Sequence, residues 1–183
     1  MIKPQVAFLG PENSFHHLAC KSYFGDNYSP YFKEGFIEII ESTQSGKTDY
    51  GVIAIENSNA GIIGNNIELI VEHGLKVAGA ITLRITLYLA AKNKINPEAI
   101  TDIYSHPAVF EQCAHYLQSF KQAQLHPVSS TAKAAQMAAE KAGTSATICG
   151  KPALIKYQLQ KIADAKSDKS ENTTRFFIIH AGN

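Results

Sequence analysis

The stretch Asn172-Thr173-Thr174-Arg175-Phe176 sets a pair of hydroxyls and a guanidinium directly before the apolar run Phe177-Ile178-Ile179. A run of that kind reads as a buried strand, so Thr174 and Arg175 stand at its mouth. A hydroxyl fixed there can donate to an oxygen that gains charge, and a planar guanidinium can hold a carboxylate through two parallel bonds. On strand alternation, however, the two side chains point to opposite faces. Taken alone, the pattern is also what a solvated strand edge shows. Four further polar clusters add weight: Gly10 to Phe15, Glu56-Asn57-Ser58, Ser105-His106-Pro107 and Ser129-Ser130-Thr131.

The elements that must position these clusters alternate in type. Residues 6–10 read as a strand and 15–24 as a helix, with Pro11 and Asn13 as turn and cap residues between them. After an extended piece near Tyr31-Phe32, residues 37–45 read as a helix and 51–55 as a strand buried on both faces. Ile63, Ile67, Ile70 and Val71 recur at helical spacing up to a left-handed cap at Gly74, and a long strand-like segment runs over 80–91. The second half continues with a strand at 100–104, a helix at 108–120 and a short strand at 125–128. An Ala-rich helix at 132–142, capped by Ser130 or Thr131, leads to a strand at 146–149, a helical turn or two at 153–158 and the closing strand at 174–179.

Such alternation implies an α/β fold with mostly parallel sheets. Ligands in these folds bind beyond the carboxyl ends of strands, where helices begin and backbone N–H groups favour anions. All four clusters fall at such positions. Each by itself is accounted for as a helix cap. Together they are rich in hydroxyls and amides and poor in Lys, which suits a small anionic ligand held by neutral donors. The continuous segment 76–91 is the expected crossing between two lobes and the polar stretch 166–172 the expected return. This assigns residues 1–78 plus 172–183 to one lobe and 79–171 to the other.

Composition narrows the class. In 183 residues, 45% are apolar and 18% charged, as expected of an ordinary soluble globular protein. A net charge of +1 provides no general field for nucleic acid, and no basic block suggests a membrane surface. No run approaches the roughly 20 apolar residues that span a bilayer, and the N-terminal stretch is too short for a signal peptide. Cys20, Cys113 and Cys149 are odd in number and far apart, which fits reduced thiols in a cytoplasm. Residues 143–152 lack the glycine spacing and hydroxyl of a phosphate loop, glycines are too sparse after the first strand for a dinucleotide fingerprint, and no Gly-x-Ser-x-Gly elbow occurs. His16, His17 and Cys20 lie close in sequence, but no paired Cys or His-x-x-x-His element accompanies them, so no metal is expected.

The clusters resemble a known family. Leu9-Gly10-Pro11-Glu12-Asn13-Ser14-Phe15 is similar to the opening of prephenate dehydratases, and Ile55-Glu56-Asn57-Ser58 with Gly61 to their Ile-Glu-Asn-Ser motif. Tyr104-Ser105-His106-Pro107 with Gln112-Cys113 resembles their Ser-His-Pro…Gln-Cys motif, and Ser129 to Ala132 and Asn172 to Phe176 complete the family order. The resemblance spans essentially the whole chain. It implies two α/β lobes arranged like periplasmic-type binding proteins with a cleft between them, conversion of prephenate to phenylpyruvate, no cofactor, and a homodimer. Carried over by motif, Thr174 would donate to the departing hydroxyl and Asn57 and Ser105 would orient the substrate. Glu56 would tune the network. Gln112 would add an amide contact, and Ser129, Ser130 and Thr131 at a helix N-terminus would bind the side-chain carboxylate, with Ser14 and Phe176 lining the site and Arg175 as a carboxylate partner. His106 reads as a structural hydrogen bond.

Four positions depart from the family pattern. Asn13 and His16 replace the Gly and Ser of the usual opening, Ala60 stands where many members have an acidic residue, and Leu87 where many carry a His. His16 places a titratable group near the expected site, which points to altered pH dependence or substrate choice. Arogenate is the alternative substrate, a non-aromatising prephenate decarboxylase the alternative reaction, and a non-catalytic anion-binding module the alternative class. The sequence ends directly after the dehydratase-like segment, so the expectation is a catalytic domain without the amino-acid-binding ACT domain or chorismate mutase region of many relatives.

Overall fold

The computed structural model describes residues 3–141, 143–169 and 171–182, and the chain forms two compact units. The first runs to Arg84 and resumes at Thr173; the second spans Ile85–Asn172. In chain order the first unit contains β1 (Gln5–Leu9), α1 (Phe15–Phe24), β2 (Ser29–Lys33), α2 (Phe36–Gln44), β3 (Tyr50–Asn57), β4 (Gly61–Ile62), α3 (Asn66–Glu72) and β5 (Lys76–Arg84). The second contains β6 (Leu87–Ala91), a 3₁₀ turn at Pro97–Ala99, β7 (Asp102–Ser105), α4 (Pro107–Gln112), α5 (Ala114–Leu117), β8 (Gln124–Pro127), α6 (Thr131–Glu140), β9 (Ser145–Gly150), α7 (Lys151–Lys156) and β10 (Gln160–Asp164). Strand β11 (Thr173–His180) returns to the first unit.

The first sheet has the order β2-β1-β3-β11-β5, with β4 on β3; the second has the order β10-β6-β9-β7-β8. Both are mixed: β1 pairs in parallel with β2 and β3, and β7 with β8 and β9, while β11 runs antiparallel between β3 and β5 and β6 antiparallel between β9 and β10. The α/β class therefore stands, with antiparallel strands inserted where the chain crosses from one unit to the other.

Strand β3 is an apolar run because both of its faces are covered. Val52 and Ala54 pack with Phe8, Ala19, Cys20, Phe176 and Ile178, whereas Ile53 and Ile55 pack with Ile40, Ile70, Leu75 and Ile179. Burying side chains of this size stabilises the unit by roughly 1.5–3 kcal/mol each. At Gly51 a Cβ would stand 2.7 Å from Thr43 Oγ1 and 2.8 Å from Ile39 Cγ2, so α2 lies against bare backbone there.

Several expected elements differ. The segment 80–91 is two strands in different sheets, broken at Ile85-Thr86. The expected helix through Ile63 begins only at Asn66: Gly61 and Gly64 take positive φ, and Ile63 donates its N–H to Ile55 O at 2.9 Å. On α3, Ile70 is buried but Val71 is 72% exposed, so the periodic stripe is only partly a core face. The helix expected over 108–120 breaks at Cys113, which leaves helical geometry at φ −115°, ψ 26°. Strand β10 carries no sequence signature, because Gln160-Lys161-Ile162-Ala163-Asp164 is a polar edge without alternation. The expected helix end at Ala142, and Ser170 in the return stretch, lie outside the described residues.

Candidate active site

Thr174 lies opposite Asn57 where antiparallel β11 begins beside the end of β3. The Asn57 amide is fully oriented: its Oδ1 accepts the backbone N–H of Asn59 at 2.9 Å and of Ala60 at 3.0 Å. Its Nδ2 must therefore be the atom that donates to Thr173 O at 3.1 Å and to Thr174 Oγ1 at 2.9 Å. Asn57 is 5% and Thr174 8% exposed, so the bond is shielded from water. A hydroxyl has one donor and two acceptor sites. With Asn57 donating to one lone pair, the Thr174 hydroxyl can give its proton to another acceptor. Ser58 completes the clamp, its Oγ accepting Thr173 N at 3.0 Å and its N–H reaching Thr173 O at 2.9 Å.

Phe176 shares the face of Thr174 and is buried with Phe8 and Val52. Arg175 is exposed on the other face, with its guanidinium carbon 5.5 Å from the Phe177 ring centroid, and its register partner on β3 is the exposed Glu56. The first cluster closes the same end of the sheet. Ser14 caps α1: its hydroxyl donates to Leu9 O at 3.0 Å and accepts His17 N at 3.2 Å, so the fold itself occupies the hydroxyl. His16 stands edge-on to Phe176, ring centroids 5.0 Å apart at 84°, and 5.7 Å from Phe36. Its Nε2 is buried without a partner, and burial lowers its pKa to about 3, which keeps the ring neutral at physiological pH.

In the second unit, Ser105 is fully buried and donates to Ile148 O at 2.7 Å, tying β7 to β9. His106 Nδ1 accepts Ala108 N at 3.2 Å as the cap of α4, and burial lowers its pKa. Gln112 Oε1 accepts Asn172 Nδ2 at 3.0 Å. Ser130 is the N-cap of α6 and accepts Lys133 N at 3.0 Å, with Ser129 exposed before it and Thr131 half-buried as the first helical residue. The sequence assigns no role to two contributors here: Asn172, whose side-chain partner lies 60 residues away, and Asp168, which accepts His115 N at 3.1 Å. No local pattern signals either contact.

A family model described as prephenate dehydratase matches residues 6–183. The chain belongs to the prephenate dehydratase family. Among its relatives is the bifunctional chorismate mutase/prephenate dehydratase of Aquifex aeolicus, 33% identical over 97% of this chain and 49% of that protein. The chain spans about half the length of the curated relatives it matches. The prephenate dehydratase of Staphylococcus aureus superposes with a TM-score of 0.82 at 26% identity, covering 98% of this chain and 67% of that one. A putative methionine-binding lipoprotein from Bacillus subtilis shares the fold alone, with a TM-score of 0.54 at 13% identity over 99% of this chain and 84% of that one. The likeness to binding proteins in fold class is thus present.

Three family departures now have physical accounts. Asn13 sits at φ +66°, a left-handed conformation in which Gly is at ease and Asn is the best tolerated alternative. Ala60 contributes a backbone N–H to Asn57, a role indifferent to its side chain. Leu87 is 3% exposed at the start of β6, where it packs as a core residue. Nothing in the structure explains His16 as a fold requirement, since its buried nitrogen has no partner.

Proposed function

We propose that this chain converts prephenate to phenylpyruvate with loss of carbon dioxide and water, a lyase step of phenylalanine biosynthesis. The observation that carries the reading is the buried 2.9 Å bond from Asn57 Nδ2 to Thr174 Oγ1. In the reaction the bond to the ring carboxylate breaks, its electron pair enters the ring, and the ring C–O bond breaks. The departing oxygen takes up a proton and leaves as water. Aromatisation supplies the driving force, so the protein has to hold the leaving groups in line and meet the charge growing on one oxygen. A threonine hydroxyl is a weak acid, but one fixed by Asn57 is a preorganised donor. Such a donor lowers a barrier by about 3 kcal/mol.

The remaining assignments follow the same reading. The N-terminal turn of α6, with Ser129, Ser130 and Thr131, receives the side-chain carboxylate through backbone N–H groups. Gln112 adds an amide contact, Ser105 holds the end of β7 in place, and Ser14 and Phe176 shape the wall beside Thr174. Glu56 and Arg175, neighbours on the exposed face, set the charge around the site. Three buried free thiols, Cys20, Cys113 and Cys149, support a reducing cytoplasmic setting. Among the described residues no helix is long and apolar enough to cross a membrane. A homodimer is the expected assembly, to be checked by sedimentation.

The test is turnover of prephenate by the purified chain, following phenylpyruvate and carbon dioxide. Thr174→Val should lower kcat by about 10²-fold or more with KM little changed. Wild-type protein that binds prephenate without turnover, or releases carbon dioxide without phenylpyruvate, would refute the reading.

A further inference from the structure

Asn172 is 7% exposed and is held at two points. Its Nδ2 donates to Gln112 Oε1 at 3.0 Å, and its carbonyl accepts Ile85 N at 2.7 Å. Gln112, the last residue of α4, grips the same return segment again, its backbone carbonyl accepting Asp168 N at 2.8 Å. The Asp168 carboxylate is itself anchored, accepting His115 N at 3.1 Å near the start of α5 and lying 3.1 Å from His115 Nδ1.

The next residues in the chain are Thr173 and Thr174. Thr173 is bonded to Ser58 through its N–H and to Ser58 and Asn57 through its carbonyl, and Thr174 is bonded to Asn57. Asn172 is thus tied to Gln112, and Thr173 and Thr174 to the Asn57-Ser58 cluster, by buried or half-buried bonds. The backbone pairing of β11 needs none of the side-chain amides. What the Gln112–Asn172 bond adds is a fixed position for the residue two before the reactive hydroxyl. Displacing a reacting group by 1 Å lowers a rate by up to about 10²-fold.

We propose that Asn172 is a positioning residue for the dehydration step: by bonding Gln112 it fixes the chain entering β11, so that the side-chain carbonyl of Gln112 serves the placement of Thr174. The proposal rests on the reading of Thr174 as donor to the leaving oxygen.

The experiment is a double-mutant cycle of Asn172→Ala and Gln112→Ala, repeated on Thr174→Val. Asn172→Ala should lower kcat by about 10- to 100-fold with KM within about twofold. On Gln112→Ala or Thr174→Val it should lower kcat by less than about threefold more, because the interaction it serves is already lost. Gln112→Glu keeps the acceptor for Asn172 and should retain more kcat than Gln112→Ala. A second readout needs no turnover: amide hydrogen exchange at Thr173 and Thr174 should rise in both alanine variants. Additive losses, an effect on KM alone, or unchanged exchange would each overturn the proposal. A wild-type protein inactive on prephenate would overturn the assigned reaction, while the exchange measurement would still decide whether Asn172 fixes the entry to β11.

Discussion

Replacing Asn57 by Asp keeps the shape of the side chain and both acceptor bonds from Asn59 N and Ala60 N, and alters only the atom that faces Thr173 and Thr174. At neutral pH that atom becomes a carboxylate oxygen 3.1 Å from Thr173 O and 2.9 Å from Thr174 Oγ1. The first contact turns from a hydrogen bond into repulsion between two acceptors. The second reverses direction, since Thr174 now donates its proton to Asp in place of the leaving oxygen. Losing a preorganised donor lowers kcat by about 10²–10³-fold, or roughly 3–4 kcal/mol. The Thr173 carbonyl keeps its bond from Ser58 N but now faces a carboxylate oxygen in the interior, which destabilises the fold by about 1–3 kcal/mol. Burial and the Thr173 carbonyl 3.1 Å away raise the pKa of the new carboxyl. The folded variant then holds a proton that the unfolded chain releases, so its stability falls as pH rises from the ordinary carboxylate range through the raised value. Below that value the protonated carboxyl again donates to Thr174. The ratio of wild-type to variant kcat, measured by phenylpyruvate formation and corrected for the uncatalysed reaction, should therefore shrink as pH is lowered. A variant that keeps kcat within about threefold of wild type at neutral pH would refute the assignment of Asn57 as the group that aims the Thr174 proton.

Further predictions concern the positions where this chain departs from its family. His16 has its pKa lowered from 6.5 to about 3 by burial, so between these values the unfolded chain binds a proton that the folded chain refuses. Stability should rise with pH across that window, by up to about 1.4 kcal/mol per pH unit, and be lost on acidification. In His16→Phe, denaturant titrations at several pH values should show this slope flattened and the protein stabilised near neutral pH by about 1–3 kcal/mol, because the unpartnered nitrogen is gone; an unchanged acid slope would contradict the assignment. At Asn13, φ +66°, replacement by Gly should leave the melting temperature almost unchanged, whereas Val should lower stability by about 1–2 kcal/mol or more. Equal effects of the two substitutions would show that the left-handed geometry is not what constrains the position.

Much of the fold is legible where a local pattern and a local cause coincide. Helix α1 follows from Ser14, whose hydroxyl caps it, and from the apolar residues that face β1. Strand β3 follows from an uninterrupted apolar run. The opposite faces of Thr174 and Arg175 follow from strand alternation alone, and the structure has one buried and the other exposed. Elements decided by distant partners are not legible in this way. The break between β5 and β6 depends on which sheet receives each half of a continuous strand-like segment. The exposure of Val71 depends on where α3 ends up lying, and β10 exists because β6 offers an edge.

The candidate site divides along the same line. Residue types and the order of the motifs, which depend only on the chain, identify the family and mark Thr174, Asn57 and Gln112 as groups to watch. Which of their donors and acceptors remain available is a tertiary matter. Ser14, Ser105 and Ser130 carry the same hydroxyl as any candidate ligand group, yet they are engaged by Leu9 O, Ile148 O and Lys133 N. The Thr174 hydroxyl is oriented by an amide 117 residues away. Sequence patterns report neighbours along the chain, whereas a hydrogen bond is directional and engages one donor with a specific acceptor. Only the folded arrangement decides where each proton points.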